Sequence, residues 1–126
     1  MGLFKIERPH FIKEVEIRLE SEKRLVEYIS DTRFEDLPGQ PLNIMKTVVL
    51  TVLGTTIGGA TEEGTEKVLG LLREWGGKEE STILIHGGKV PAYNAAFINS
   101  VMARAIDFCD ANHPGLHVGS ASVPAA

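Results

Sequence analysis

The sequence predicts a mainly α-helical fold, with at most a short strand or hairpin near residues 81–90. Apolar residues recur at helical spacing over 21–31, 61–75 and 92–107. Leu37-Pro38-Gly39, Gly76-Gly77 and Gly87-Gly88 punctuate the chain between those segments, where glycine and proline favour turns over regular structure.

Residues 1–20 read as an N-terminal arm. In them Val15, Ile17 and Leu19 alternate with Glu14, Glu16, Arg18 and Glu20, a strand-like period. A helix over 21–31 follows, with Leu25, Tyr28 and Ile29 on one face. Pro41 stands where a first helical turn tolerates it, so residues 42–58 read as a largely buried helix. The β-branched Val48, Val49, Val52 and Ile57 make a strand the alternative there. Thr61 is positioned to cap the next helix, with Glu62 and Glu63 in its first turn and Val68, Leu69, Leu72 and Trp75 on its apolar face. Gly76-Gly77 stops that helix. Residues 81–85 read as a short strand, and Pro91 opens a helix from Ala92 to about Asp107.

Composition narrows the function classes. A net charge of −4, with 43% hydrophobic and 24% charged residues, fits a soluble globular domain and gives no basic footprint for nucleic acid. No uninterrupted apolar run reaches the roughly 18 residues of a membrane helix, because Gly54, Gly58 and Gly59 break the longest candidate at 48–60. The N-terminus has no signal-peptide pattern, and Ile6 stands where a myristoylation signal needs Ser or Thr. A single cysteine, Cys109, excludes an internal disulfide and fits a reducing compartment, so a cytoplasmic location is expected. One thiol cannot hold an iron–sulfur cluster, so chemistry on this chain is expected to run on side-chain acids and bases, with no cofactor and no metal unless a partner chain supplies one.

The 92–107 helix breaks a local rule. Phe97, Ile98, Val101, Met102, Ile106 and Phe108 make it apolar almost all round, which calls for burial. Its C-terminus carries Asp107 and Asp110, where the helix dipole disfavours carboxylates by a few tenths to about 1 kcal/mol. Arg104 at i,i+3 could pair with Asp107 and explain it structurally. Two acids and two histidines, Asp107, Asp110, His113 and His117, lie close together around Pro114-Gly115 in a polar loop. Three readings follow. By ligand type the four could hold a metal, but their spacing matches no tight motif. They could be satisfied loop residues. Or they could form an acid/base site, since histidine beside a carboxylate is the usual proton-transfer pair near neutral pH.

The stretch Asp107-Phe108-Cys109-Asp110-Ala111, followed by His117-Val118-Gly119-Ser120 and Val123-Pro124-Ala125-Ala126, resembles the hallmark of the 2-methylcitrate dehydratase (MmgE/PrpD) family. Phe34-Glu35-Asp36-Leu37-Pro38, the glycine-punctuated segment 46–59, Gly76-Gly77 and Lys89-Val90-Pro91-Ala92 are similar to that family's upstream landmarks, so the resemblance covers about 21–126. It implies the N-terminal portion of a large helical domain, still incomplete at Ala126 inside a further helix, and hence a fragment, a split-gene subunit or a remnant. It implies a metal-independent dehydratase-like lyase acting on a small polycarboxylate, in a family that also holds decarboxylases and epimerases. Asp107 and His117 are carried over as catalytic, His117 as acid/base and Asp107 as its orienting or proton-shuttling partner; Asp110 and His113 are expected to contact substrate. Cys109 replaces an acid of the family pattern and Ala111 a threonine, so a hydroxyl donor is lost. Lys89 and Arg104 are the nearest cations and read as structural. Two apolar helices in so short a chain call for a partner, either a second copy or a chain carrying the rest of the site; a non-catalytic helical interaction module is the competing reading.

Overall fold

The structure, a computed structural model, describes residues 10–111 and 115–126, with side chains from residue 18 onward. The described residues form five α-helices and one two-stranded hairpin, as the sequence predicts. They divide into two compact units, one up to Gly39 and the other from Gln40 onward.

In the first unit, α1 (His10–Asp31) runs as one helix through the segment read as strand-like. The correction has a simple cause. Glu, Arg, Lys and Leu are strong helix formers. Three i,i+4 ion pairs, Arg18–Glu22 and Glu20–Arg24 at 3.4 Å and Lys23–Glu27 at 3.8 Å, lie along its exposed surface. Each adds only about 0.2–0.5 kcal/mol, but a five-residue alternation has nothing to set against them. Leu25, Tyr28 and Ile29 are all exposed. A 3₁₀ turn at Phe34–Asp36 follows, closed where the Arg33 amide donates to Asp36 Oδ2 at 2.9 Å.

In the second unit, α2 (Gly39–Gly59) is helical despite its β-branched content. Its threonines explain why strand loses. Thr47, Thr51, Thr55 and Thr56 donate their hydroxyls to carbonyls three or four residues back, at 2.7–3.1 Å. Each hydroxyl is thereby satisfied inside the helix. Val52, Thr55, Thr56 and Gly59, at i, i+3, i+4 and i+7, form its buried stripe. Gly59 is needed there, since a Cβ would land on the Met102 carbonyl of the fourth helix. The expectation of a largely buried helix is overturned: Ile44, Met45, Leu50, Leu53 and Ile57 are exposed. Tolerated glycines and threonines also leave α2 long and apolar enough, by length and composition alone, to cross a membrane, contrary to the sequence count that stopped at each glycine.

The third helix, α3 (Thr65–Trp75), starts three residues later than the Thr61 cap predicts, with Gly64 as its cap. Residues 61–64 form a turn that ends on Gly64 in the left-handed region, φ 91°, and Thr65 Oγ1 ties the helix start to the Gly59 carbonyl at 3.2 Å. Leu69 and Leu72 are buried as expected, but Trp75 is 65% exposed. Gly76 and Gly77 end the helix at φ 60° and 114°, and the Pro91 ring sits so close to Gly77 that a Cβ would lie 2.7 Å from it.

The hairpin pairs β1 (Ser81–Thr82) with β2 (Lys89–Val90) in antiparallel register, Ser81 opposite Val90. It is shorter than the predicted 81–85 strand because the chain turns at Ile85, φ 64°. The fourth helix, α4 (Ala92–Ala105), clamps it. The buried Asn99 accepts the Leu84 amide at 2.9 Å and donates to the Thr82 carbonyl at 3.2 Å. Ala60, Leu69, Leu72, Ile83, Val90, Ala95, Ile98 and Met102 make one continuous core from α3, the hairpin and α4. Only the inner face of α4 is buried; Tyr93 and Phe97 stand in solvent, against the expectation of burial all round. A fifth helix, α5 (Gly119–Ala125), packs on α4.

Candidate functional site

The site grows from the point where α4 stops. Ala105 is its last residue, and two residues later Asp107 adopts the left-handed conformation, φ 52°. Aspartate accepts that region more readily than most residues. The turn swings the carboxylate back onto Arg104, 2.8 Å between Nη1 and Oδ1, so the i,i+3 pair anticipated from spacing forms. Asp107 is 80% exposed, and a pair in that setting contributes at most about 1 kcal/mol. The same Arg104 nitrogen meets the Cys109 thiol.

Cys109 and Asp110 connect this turn to His117. The imidazole Nδ1 lies 2.9 Å from the Asp110 carbonyl oxygen and 3.4 Å from Cys109 Sγ. The half-buried Asp110 carboxylate turns the other way and accepts the Gly119 amide with both oxygens, at 3.1 and 3.2 Å. Gly119 starts α5 and is buried. A Cβ there would lie 2.9 Å from Asp110 Cγ and closer still to Oδ1, so the contact requires glycine.

Beside this network runs a groove of about 830 Å³ between the start of α3, the outer face of α4 and α5. Val68, Phe97 and Val101 give it an apolar wall; Arg104, His117 and Ser120 bring polar groups to the same space. Glu62 and Glu63 stand on its lining at the turn before α3. Phe97, 55% exposed, is therefore the apolar surface of a concavity.

The sequence-derived candidates separate. His117 lines the groove. Asp107 does not, and reaches His117 only through Arg104 and Cys109. The Asp110 carboxylate is engaged by Gly119. His113 lies outside the described residues. Among the described residues, no group of three or more His, Cys, Asp or Glu side chains is placed to hold a metal ion. Sequence reasoning treated Arg104 as structural and passed over Gly119 and Ser120. The signal for Gly119 was present: a glycine two residues beyond a loop histidine can admit a close backbone approach.

A family model for the MmgE/PrpD N-terminal domain matches residues 23–126. No curated protein and no solved structure matches the chain. With more than half its length matched, and with helices and loop in the order the resemblance implied, the chain belongs to the MmgE/PrpD family.

Proposed function

We propose that the groove is one wall of a metal-independent lyase site for a small polycarboxylate, with His117 as the acid/base. The observation that carries this is that His117 and Arg104 both line the 830 Å³ groove, whose remaining surface Val68, Phe97 and Val101 make apolar. The guanidinium orients a substrate carboxylate. Glu62 and Glu63 repel anions, so the carboxylates lie toward Arg104. His117 Nε2 takes the proton from the carbon next to a substrate carboxylate. The C–H electron pair becomes the new C=C bond as the β C–O bond breaks. His117 returns the proton to the departing hydroxyl, which leaves as water, and the imidazole ends neutral. Asp107 holds Arg104 in place and is linked through it and Cys109 to the imidazole. Decarboxylation or epimerisation would use the same proton transfers with a different bond broken.

Tricarballylate, a tricarboxylate without a hydroxyl to lose, tests the site. Titration should give saturable amide shifts at Arg104, His117 and Ser120 in the roughly millimolar range or below. In the catalytically complete assembly, His117→Ala should lower turnover on the order of 10²-fold or more. Absence of saturable shifts in the groove, or unchanged turnover in a folded His117→Ala variant, overturns the reading.

A polycarboxylate carries more negative charge than Arg104 neutralises, and α2 exposes Ile44, Met45, Leu50, Leu53 and Ile57. The reading therefore includes stable assembly, with a second copy or with a chain that supplies further cations. Sedimentation at micromolar concentration should show a mass above that of one chain. A single monomeric species that binds no apolar dye would leave the interaction-module reading and the shared-site reading both without support.

A further inference from the structure

We infer that Asp110 is the positioning residue that fixes the tautomer of His117, rather than a substrate contact. This rests on the reading of His117 as the base. A carbonyl oxygen can only accept, so the 2.9 Å contact to the Asp110 carbonyl places the proton of a neutral imidazole on Nδ1. Nε2 then carries the free lone pair that proton abstraction needs, and it has no hydrogen-bond partner among the described residues. Without such a bond, neutral histidine in water favours the opposite, Nε2–H form.

The geometry makes Asp110 responsible for keeping that carbonyl in reach. Its carboxylate grips the Gly119 amide at 3.1 and 3.2 Å, while its main chain accepts from His117, two residues before Gly119. One residue thus closes the loop at residue 119 and orients the ring at residue 117. Gly119 is the other half of the device, because any Cβ would overlap the Asp110 carboxylate and crowd Val48, 3.0 Å away. Cys109 Sγ, 3.4 Å from the same Nδ1, sits beside the bond without replacing it: a thiol is a weak partner and a carbonyl oxygen a strong one.

The test is a long-range proton–nitrogen correlation spectrum of the imidazoles at about pH 8, above the usual histidine pKa of about 6.5. Wild-type His117 should show a protonated Nδ1 and a pyridine-type Nε2. In Asp110→Ala and in Gly119→Ala the pyridine-type signal should move to Nδ1. Asp110→Asn keeps a carbonyl oxygen for the Gly119 amide and should keep the wild-type pattern. Unchanged signals from Ile98 and the Asn99 side-chain amide certify the core in each variant. A wild-type His117 protonated on Nε2, or a tautomer that Asp110→Ala leaves unmoved, overturns the inference. Neither result touches tricarballylate binding, so loss of this inference and loss of the proposed function are read on separate measurements.

Discussion

The loop of the hairpin and the loop after α4 are built from the same parts. Each has a non-glycine residue in the left-handed region, Ile85 at φ 64° and Asp107 at φ 52°. Each has a histidine bonded to a main-chain carbonyl at 2.9 Å, His86 through Nε2 to Ala60 and His117 through Nδ1 to Asp110. Each is joined to α4 by one polar side chain, Asn99 for the first and Arg104 for the second. They differ in what lies beneath. The hairpin rests on Ile83 and Val90, both in the core, and Arg73 also donates to the His86 and Gly87 carbonyls. The second loop exposes Phe108, Leu116 and Val118, and the side-chain hydrogen bonds of Arg104, Asp110 and His117 tie its described residues together. Each histidine leaves its other ring nitrogen without a partner among the described residues, but His117 alone of the two lines the groove, where that nitrogen can meet a ligand.

The largest test of that contrast is a pair of truncations. Ile83→Ala removes a side chain with 1% exposure and should cost about 2–5 kcal/mol of unfolding free energy. Leu116→Ala, 58% exposed, should stay within about 0.5 kcal/mol. Denaturant unfolding measures both. A comparable loss at Leu116 would show that the second loop is also packed, and the contrast would fall.

A smaller effect sits at the two left-handed residues. An isoleucine there is strained by its branched Cβ, at about 1–3 kcal/mol, whereas aspartate tolerates the region. Ile85→Gly should therefore stabilise the protein by up to about 1 kcal/mol, after the entropy cost of glycine is offset. Asp107→Gly should give less, and it also removes the pair with Arg104. Thermal unfolding of the two variants decides the order. Destabilisation by Ile85→Gly would mean that the exposed isoleucine contributes more than its strain costs.

How much of this was legible in the sequence depends on which force was in charge. The apolar period of Leu69 and Leu72 and of Ile98 and Met102 marks the core directly, because burial alone selects those residues. The strand-like alternation of Val15, Ile17 and Leu19 misleads because helix propensity and ion pairs outweigh a short period. The exposed face of α2 was not readable, since an apolar residue looks the same whether its partner is in this unit or elsewhere. At the site, residue types pointed to Asp107, Asp110, His113 and His117 together, the family resemblance singled out Asp107 and His117, and the i,i+3 spacing pointed to the pair with Arg104. The bond from Gly119 to Asp110 was invisible, because it depends on a loop closing across nine positions. His113 lies outside the described residues.

The smallest effect concerns the fully exposed edge of the better-packed region. Glu80 bonds Lys78 Nζ at 2.9 Å and accepts the Ala92 amide at the start of α4 at 3.2 Å. The lysine first, and the amide second, hold its carboxyl below the ordinary carboxylate range; burial opposes them only slightly. The native state thus favours the ionised form. A depressed native pKa stabilises the fold above the unfolded-state value, and the gain disappears as pH falls through the lower, native value. Glu80→Gln keeps an oxygen for the Ala92 amide but loses the charge. The melting temperature of the wild type should therefore exceed that of Glu80→Gln near neutral pH, and the two should converge as acid carries the solution below the ordinary carboxylate range. Raised salt should shrink the neutral-pH gap as well, because both partners face water. A gap that persists unchanged to the acid side would show that the Glu80 charge is not its cause, and that even the rim of the hairpin is held without help from charge.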